Sequence, residues 1–399
     1  MNGKPWLIII GMDDGGYERL SSEAQHHIHS AHLIIGPKRH LSMLPDVKAV
    51  TQDWPVPFSD GIELLLQRRG SPTVMLVSGD PFWFGAGSVI TRHLDAHEWL
   101  SLPGHSCFSL AASEVGWPLE DTICIGLHAA PLSRLRPHLA PHQKIMATLR
   151  DGDAIYDLMT YLSESGFGET QITCLEALGH TAQKITTIQA NDAPDLKLSH
   201  PVMVALLVAG EGRAMPRVTG LADDWFDHDG QITKQPIRAL TLAALAPRPS
   251  DYLWDLGAGS GSIAIEWLLS NSSLRASAIE RNAKRAQTIR DNARTLGVDH
   301  LDVIELDIEE AIETLSLPDC IFIGGGLKEP VLHRIWDKMA PGTRLVANGV
   351  TLETEQLLIA AYRKFGGNLS KFETSQLVPI GTMQGWKSAF PITQWSVTK

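Results

Sequence analysis

The sequence predicts two successive α/β units, each with a mainly parallel sheet and its own ligand-binding turns. Three observations carry this. Within residues 5–118, short β-prone apolar runs alternate with helix-capable stretches, the pattern of strand–helix–strand crossovers. Past residue 250 the alternation restarts around a glycine-rich turn, Leu253 to Ser262. Between them, Glu211 to Gly230 collects Gly212, Pro216 and Gly220, then Asp223, Asp224, Asp227 and Asp229, the composition of a junction. A chain of 399 residues is long enough for two domains. The boundaries read as 1–212, a linker at 213–224, and 225–399.

Composition excludes several classes. Hydrophobic content of 44% and charged content of 20% suit a soluble globular protein. The longest apolar run, Pro201 to Ala209, is far short of a bilayer span. Lys4, a short run from Pro5 to Gly11, then Asp13 and Asp14 do not make a signal peptide, so a cytoplasmic protein is expected. The four cysteines are scattered without a CxxC, and the histidines show no ligand spacing, so reduced thiols and no metal are expected. From Gln231 onward 18 Lys+Arg face 18 Asp+Glu, so residues 1–230 carry the whole formal charge of −11. Neither half is basic, which argues against nucleic acid as a partner.

The elements of the first unit follow in order. Leu7 to Ile10 reads as a buried strand ending at Gly11, Tyr17 to Ser30 as a helix, and Leu33 to Ile35 as a second strand. Asp60 to Arg69 reads as helical. Thr73 to Val77 is a strongly β-prone strand, broken by Ser78-Gly79-Asp80-Pro81. Trp99 to Leu102 is a fourth strand, and a helix follows Pro103-Gly104-His105-Ser106-Cys107 as far as Val115. Ligands of such sheets sit at the carboxyl ends of the strands, so these turns are the candidate site.

In the second unit, Pro236 to Ala246 reads as a helix with Thr233 as its N-cap. Leu253 to Leu256 is a strand, and Ile263 to Leu269 opens a helix. Gly257, Gly259 and Gly261 between them let backbone approach a ligand, and the helix N-terminus offers free N–H groups. The spacing is GxGxG; a dinucleotide fingerprint would place glycine at Ser262. Asp255 at the strand end suits an ammonium rather than a pyrophosphate. The strand Ala276 to Ile279 ends in Glu280, placed to hold two ribose hydroxyls. The strand Leu301 to Leu306 ends in Asp307. Cys320 to Ile323 runs into Gly324, Gly325 and Gly326, where a bulky planar substrate can approach the backbone. Arg344 to Ala347 and a region from Leu377 to Trp395 complete a Rossmann-like sheet.

Asp, GxGxG, Glu and Asp on three successive strand ends resemble the class I S-adenosylmethionine methyltransferases. That likeness assigns Asp255, Gly257, Ala258, Gly259, Ser260, Gly261, Glu280, Asp307 and Ile308 to cofactor binding. The first unit resembles another S-adenosylmethionine fold, the tetrapyrrole methylases, which have two α/β lobes (class III). The likeness rests on GMDDGG near the start, SGDPFWFGAG and LPGHSCFSLAASEVGWP, in that order, and covers residues 5 to 210. It implies that Ser78, Gly79, Asp80, Trp83, Ser106 and Cys107 line a cofactor. Asp13 and Asp14 stand where that family has glycine and proline, and Leu127 to Pro131 where its cobalamin branch has His-Gly-Arg.

The whole order, with Asp227 to Lys234 ahead of WDLGAGSGSIAIE and FIGGG, resembles the fused precorrin-6Y C5,15-methyltransferases (decarboxylating) of cobalamin biosynthesis. The resemblance implies two S-adenosylmethionine sites per chain, with Thr233 at the second, and a tetrapyrrole substrate. It implies methylation of carbons 5 and 15 and loss of the ring-C acetate carboxyl, giving precorrin-8x. Lys234, Arg238, Lys328, Arg334 and Arg344 lie near expected strand ends and are candidates to pair with substrate carboxylates. No catalytic acid or base is singled out. A homo-oligomer without membrane attachment is expected. Alternatives are an enzyme with only its second half catalytic, an RNA methyltransferase, which lacks support from an Asn-Pro-Pro-Tyr motif, and an NAD oxidoreductase, which the glycine spacing disfavours.

Overall fold

Ten strands in two sheets build the first unit of the described residues, which are 4–192 and 195–399 in this computed structural model. The first sheet has the order β3-β2-β4-β1-β5, all parallel, from β1 (Leu7–Met12), β2 (Leu33–Gly36), β3 (Val50–Asp53), β4 (Thr73–Ser78) and β5 (Trp99–Leu102). β1 is buried along its whole length, as a central parallel strand covered on both faces requires. The second sheet has the order β6-β7-β10-β8-β9, from β6 (Ile123–Gly126), β7 (Lys144–Thr148), β8 (Gln171–Glu176), β9 (Lys184–Gln189) and β10 (Val202–Leu207). Only β6 and β7 pair in parallel.

Several expectations shift here. β3, Val-Thr-Gln-Asp, is a mostly exposed edge strand with no apolar alternation to announce it. The stretch expected as one helix, 17–30, is a 3-10 turn at Tyr17–Arg19 and a helix at Ser22–Ser30. Ser21 divides them, because its side chain accepts from the Ala24 N–H and caps the second piece.

The second unit carries a seven-stranded sheet of order β13-β12-β11-β14-β15-β19-β16. Its strands are β11 (Tyr252–Leu256), β12 (Arg275–Ile279), β13 (Asp302–Ile304), β14 (Cys320–Ile323), β15 (Arg344–Gly349), β16 (Asn368–Phe372) and β19 (Ile392–Thr398). β11 to β15 are parallel, and β19 runs antiparallel between β15 and β16. The two faces bury separate cores. Leu242, Ile263, Trp267 and Ile289, from helices Gln235–Leu245, Ser262–Ser270 and Ala283–Thr295, fill one. Ile312, Val331, Ile335 and Leu358, from Ile308–Thr314, Glu329–Lys338 and Leu352–Phe365, fill the other. This is the doubly wound architecture expected. β17 (Ser375–Ile380) and β18 (Met383–Ser388) leave the sheet and pair with each other.

The junction is not a free connector. Ala214 onward belongs to the second unit, as do Ser133–Pro137. Met215 and Leu221 are buried in its core beside Phe226. The backbone N–H groups of Gly220 and Leu221 donate to the Glu266 carboxylate at 2.5 and 3.0 Å. The N-cap position of helix Gln235–Leu245 is Lys234 rather than Thr233, without a side-chain cap, and Pro236 lies in its first turn. Among the described residues no helix is long and apolar enough to cross a membrane.

Candidate functional site

In the second unit, β11 lies between β12 and β14, so successive crossovers leave it in opposite directions. Such a reversal opens a crevice at the carboxyl ends of the strands. The turn after β11 fills it. Gly257, Gly259 and Gly261 have φ of 73°, 61° and 77°, a left-handed backbone that favours glycine at all three. Gly257 and Ala258 both donate to Ile279 O at 3.0 Å, which fixes the turn to the end of β12. A Cβ on Gly257 would stand 2.9 Å from Gly325 O, so the two glycine turns press together. Ile308, half-buried, reaches to 3.9 Å from the Cβ position of Gly326.

The charges at this crevice are acidic and held in place. Asp255 is buried; its Oδ2 accepts from the Ala264 N–H at 3.1 Å, while Oδ1 has no partner. Burial pushes its carboxyl up to about 7, and Glu280 nearby acts in the same direction. Glu280 accepts from the Gly259 N–H at 3.0 Å and from Asn282 N–H at 2.9 Å, which aims the carboxylate at the turn. The buried Ser260 hydroxyl likewise has no partner. Two orphaned buried polar atoms beside a left-handed glycine turn fit a ligand that brings an ammonium and hydroxyls. Asp307 is more remote: it lies three residues past β13, exposed, 3.7 Å from Arg281.

The cationic candidates separate. Arg238 is fully buried, and its guanidinium is committed to Glu266, Asp223, Thr233 O and Leu221 O, over the Phe226 ring. It pins the former linker and is out of a substrate's reach. Arg344 begins β15, at the opposite end of the sheet from the crevice. It is buried against Leu245 O, Asp251 and Cys320, so the substrate role expected for it does not hold. Arg334 is taken up by Glu309 and Glu313, each at 2.9 Å. Lys234 pairs with Asp223 at 3.3 Å. Lys328 is exposed just beyond Gly324, Gly325 and Gly326.

The first unit builds its turns differently. Gly11, Gly79 and Gly104, from the ends of β1, β4 and β5, meet backbone to backbone. The Gly79 N–H donates to Met12 O at 2.9 Å and the Gly104 N–H to Gly79 O at 3.2 Å. A Cβ on Gly11 would lie 1.9 Å from Gly79 O and 2.4 Å from Gly104 N. Around this contact stand the expected residues. Ser78 accepts from Arg39 at 2.7 Å, and Asp80 accepts from the Phe82 N–H at 2.8 Å. Ser106 caps helix Cys107–Val115 through the Ser109 N–H. Trp83 is exposed and edge-on to Phe84 and Phe108. Burial pushes the Cys107 thiol up to about 11, so it is a neutral wall and not a nucleophile. Asp13 and Asp14 are paired with Arg19 and Arg39.

Gly11 and Gly104 lie in turns named from the sequence, without a role of their own there, and Asn292 was not singled out. The glycines each follow a β-prone run, a weak signal. Asn292 is a poor helix former inside a polar helix, which hints at a side-chain task.

Comparisons with known proteins match each unit to a family. Residues 7–194 match the tetrapyrrole (corrin/porphyrin) methylase family, and residues 224–399 match the precorrin methyltransferase domain family. A Sinorhizobium protein named precorrin-6Y C(5,15)-methyltransferase (decarboxylating) is 42% identical over 99% of this chain and 97% of its own. One of the same name from Mycobacterium tuberculosis is 37% identical over 98% of this chain and 100% of its own. A shorter relative from Salmonella typhimurium, named cobalt-precorrin-6B C(15)-methyltransferase (decarboxylating), is 28% identical over 40% of this chain and 85% of its own. A solved C-terminal domain of the Rhodobacter capsulatus precorrin-6Y enzyme is 45% identical, covering 46% of this chain and 100% of that one, with a TM-score of 0.45.

Proposed function

The chain belongs to the precorrin-6Y C(5,15)-methyltransferases (decarboxylating), and we infer that it methylates carbons 5 and 15 of precorrin-6Y and removes the ring-C acetate carboxyl as carbon dioxide. The product is precorrin-8x, within cobalamin biosynthesis. The observation that carries this reading is the match to relatives of that name across both units, not one alone.

S-adenosylmethionine is the methyl donor, and we propose one site in each unit. When bound, it supplies a methyl group on a sulfonium, which a nucleophilic ring carbon can take without a strong protein base. In the second unit, Asp255 Oδ1 holds the ammonium, Glu280 the ribose hydroxyls, and the backbone of Gly257 to Gly261 lies along the ligand, with Thr233 at its margin. In the first, Ser78, Gly79, Asp80, Trp83, Ser106 and Cys107 line the site. The protein's contribution is chiefly alignment and exclusion of water. Gly324 to Gly326 leave room for the macrocycle, and Lys328 is placed for one of its carboxylates. Decarboxylation leaves an electron pair that the conjugated ring absorbs. The second unit carries carbon-15 methylation and decarboxylation, since a shorter relative is named for those two steps alone; carbon 5 falls to the first.

The test is the mass of product from the full chain with precorrin-6Y and S-adenosylmethionine. Two methyl gains with one carbon dioxide loss are expected. With S-adenosylmethionine at a level that just saturates the parent chain, Glu280→Gln should shift the product toward a singly methylated species that keeps its carboxyl. Carbon dioxide release by that variant at the parent rate would overturn the assignment of roles. Calorimetric binding of a single equivalent, lost in Glu280→Gln, would favour the alternative in which only the second unit is catalytic.

We also propose that copies of the chain assemble through the ribbon β17–β18. Leu377, Ile380, Met383 and Trp386 are exposed on it, Lys387 is its one charged residue, and it pairs with no other strand among the described residues. An isolated two-stranded ribbon is marginal in water and its free edges invite pairing. Trp386→Asp should lower the mass seen by sedimentation to that of one chain; an unchanged mass removes the ribbon from the interface.

A further inference from the structure

Helix Ala283–Thr295 touches the second glycine turn and the segment that crosses in front of it. A Cβ on Gly261 would lie 2.7 Å from Ile289, so the turn rests on this helix. The crossing segment is 227–233. It leaves the core at the buried Phe226 and ends where Arg238 grips Thr233 O. Between those anchors, Gln231 O comes 3.7 Å from the Cβ position of Gly259, so the segment's backbone faces the turn. Ile232 alone in the segment packs against the core, and only in part.

Between the anchors, one buried amide ties the segment directly to the turn. Asn292 Oδ1 accepts from the Asp227 N–H at 2.8 Å, and Nδ2 donates to Asp227 O at 2.9 Å and to Ser260 O at 3.0 Å. Both donors and the acceptor are used, and the side chain is buried. Two of its bonds go to the crossing segment and one to the glycine turn, so it joins the two walls directly. Arg285, seven residues earlier and on the same helix face, adds a more exposed tether to Asp229 at 2.8 Å.

We propose that Asn292 is a positioning residue for S-adenosylmethionine. It holds segment 227–233 against the glycine turn, so that both walls of the second site are formed before the ligand arrives. Order set in advance is not drawn from binding, which tightens the site. The proposal rests on the reading that this turn takes the cofactor.

The experiment uses the full chain. S-adenosylhomocysteine binding is measured by calorimetry, and exchange of the amide hydrogens of 227–233 is followed without ligand. Asn292→Asp sets a carboxylate against two carbonyl oxygens; Asn292→Ala simply deletes the bonds and serves if the first variant misfolds. Loss of buried hydrogen bonds of this kind should weaken the second site about tenfold or more while the first is unchanged. Exchange across 227–233 should quicken. In turnover, the cofactor KM of carbon-15 methylation should rise while kcat at saturation is kept. Arg285→Ala should do the same by about twofold, since exposed pairs are weak. A purely structural asparagine would lower the melting temperature and leave affinity and exchange in the folded chain untouched, which overturns the proposal. Glu280→Gln serves as the control: if it leaves the second site intact, the turn is not the cofactor site and the proposal falls with it. If it weakens that site while both Asn292 variants bind normally, only the role of Asn292 is wrong.

Discussion

The two glycine-lined sites solve one problem in opposite ways. In the second unit, three glycines in five residues supply left-handed φ along one continuous loop, and the space around Gly259 is open, its nearest foreign atom 3.7 Å from a Cβ. In the first, Gly11, Gly79 and Gly104 come from three separate strand ends and of these only Gly79, at φ 59°, is left-handed. Gly11 and Gly104 are required because other backbone occupies the place of their Cβ atoms. Gly259 is therefore required by conformation, and Gly11 and Gly104 by contact. Substitution should separate the two dependences.

The largest effect is expected from Gly11→Ala. Its new methyl would meet Gly79 O and Gly104 N, which are backbone and cannot swing aside. Overpacking of this kind costs about 3 kcal/mol or more. The first unit should melt earlier and carbon-5 methylation should fail, while carbon dioxide release persists. A normal melting profile would mean the three loops are not packed as described.

Next is the pH response of Asp255. Its carboxyl is raised from 3.8 in the unfolded chain to about 7 in the folded one. The folded state therefore holds the extra proton, and stability contributed by it is full below pH 3.8 and lost as pH rises to about 7. The slope is about 1.4 kcal/mol per pH unit as an upper bound. Asp255→Asn should flatten that slope in ligand-free melts between those values. Pairing with an ammonium needs the carboxylate, so binding at the second site should weaken as pH falls below about 7 and release a proton. Calorimetry in buffers of different ionisation enthalpy reads that proton directly; equal heats in all buffers would show that Asp255 does not meet the charge.

Glu280→Gln should weaken the second site by about 1–3 kcal/mol, the worth of a charged hydrogen-bonding partner, with no change at the first. The smallest effect is expected from Gly259→Ala. This is an effect on folding: no protein atom crowds the methyl, and the strain of a non-glycine residue at φ 61° costs about 1 kcal/mol in ligand-free melts. A loss as large as that of Gly11→Ala would erase the distinction between the two turns.

Much of both sites was legible in the chain because their pieces are local. A glycine turn between a β-prone run and an apolar helix, with acids ending successive strands, is written within fifty residues, and Asp255, Gly257 to Gly261 and Glu280 do meet at one crevice. Local steric rules act on neighbours in sequence, so such a motif survives being read alone. The tertiary structure decided which charges are free. Arg238 and Arg344 look like Lys328 in a sequence, yet two are buried in ion pairs and one faces solvent. It also drew the supposed linker into a core through Met215 and Leu221, and joined Asp227 to Ser260 through Asn292. Each of these depends on burial, and burial is set by residues that the chain brings from far away.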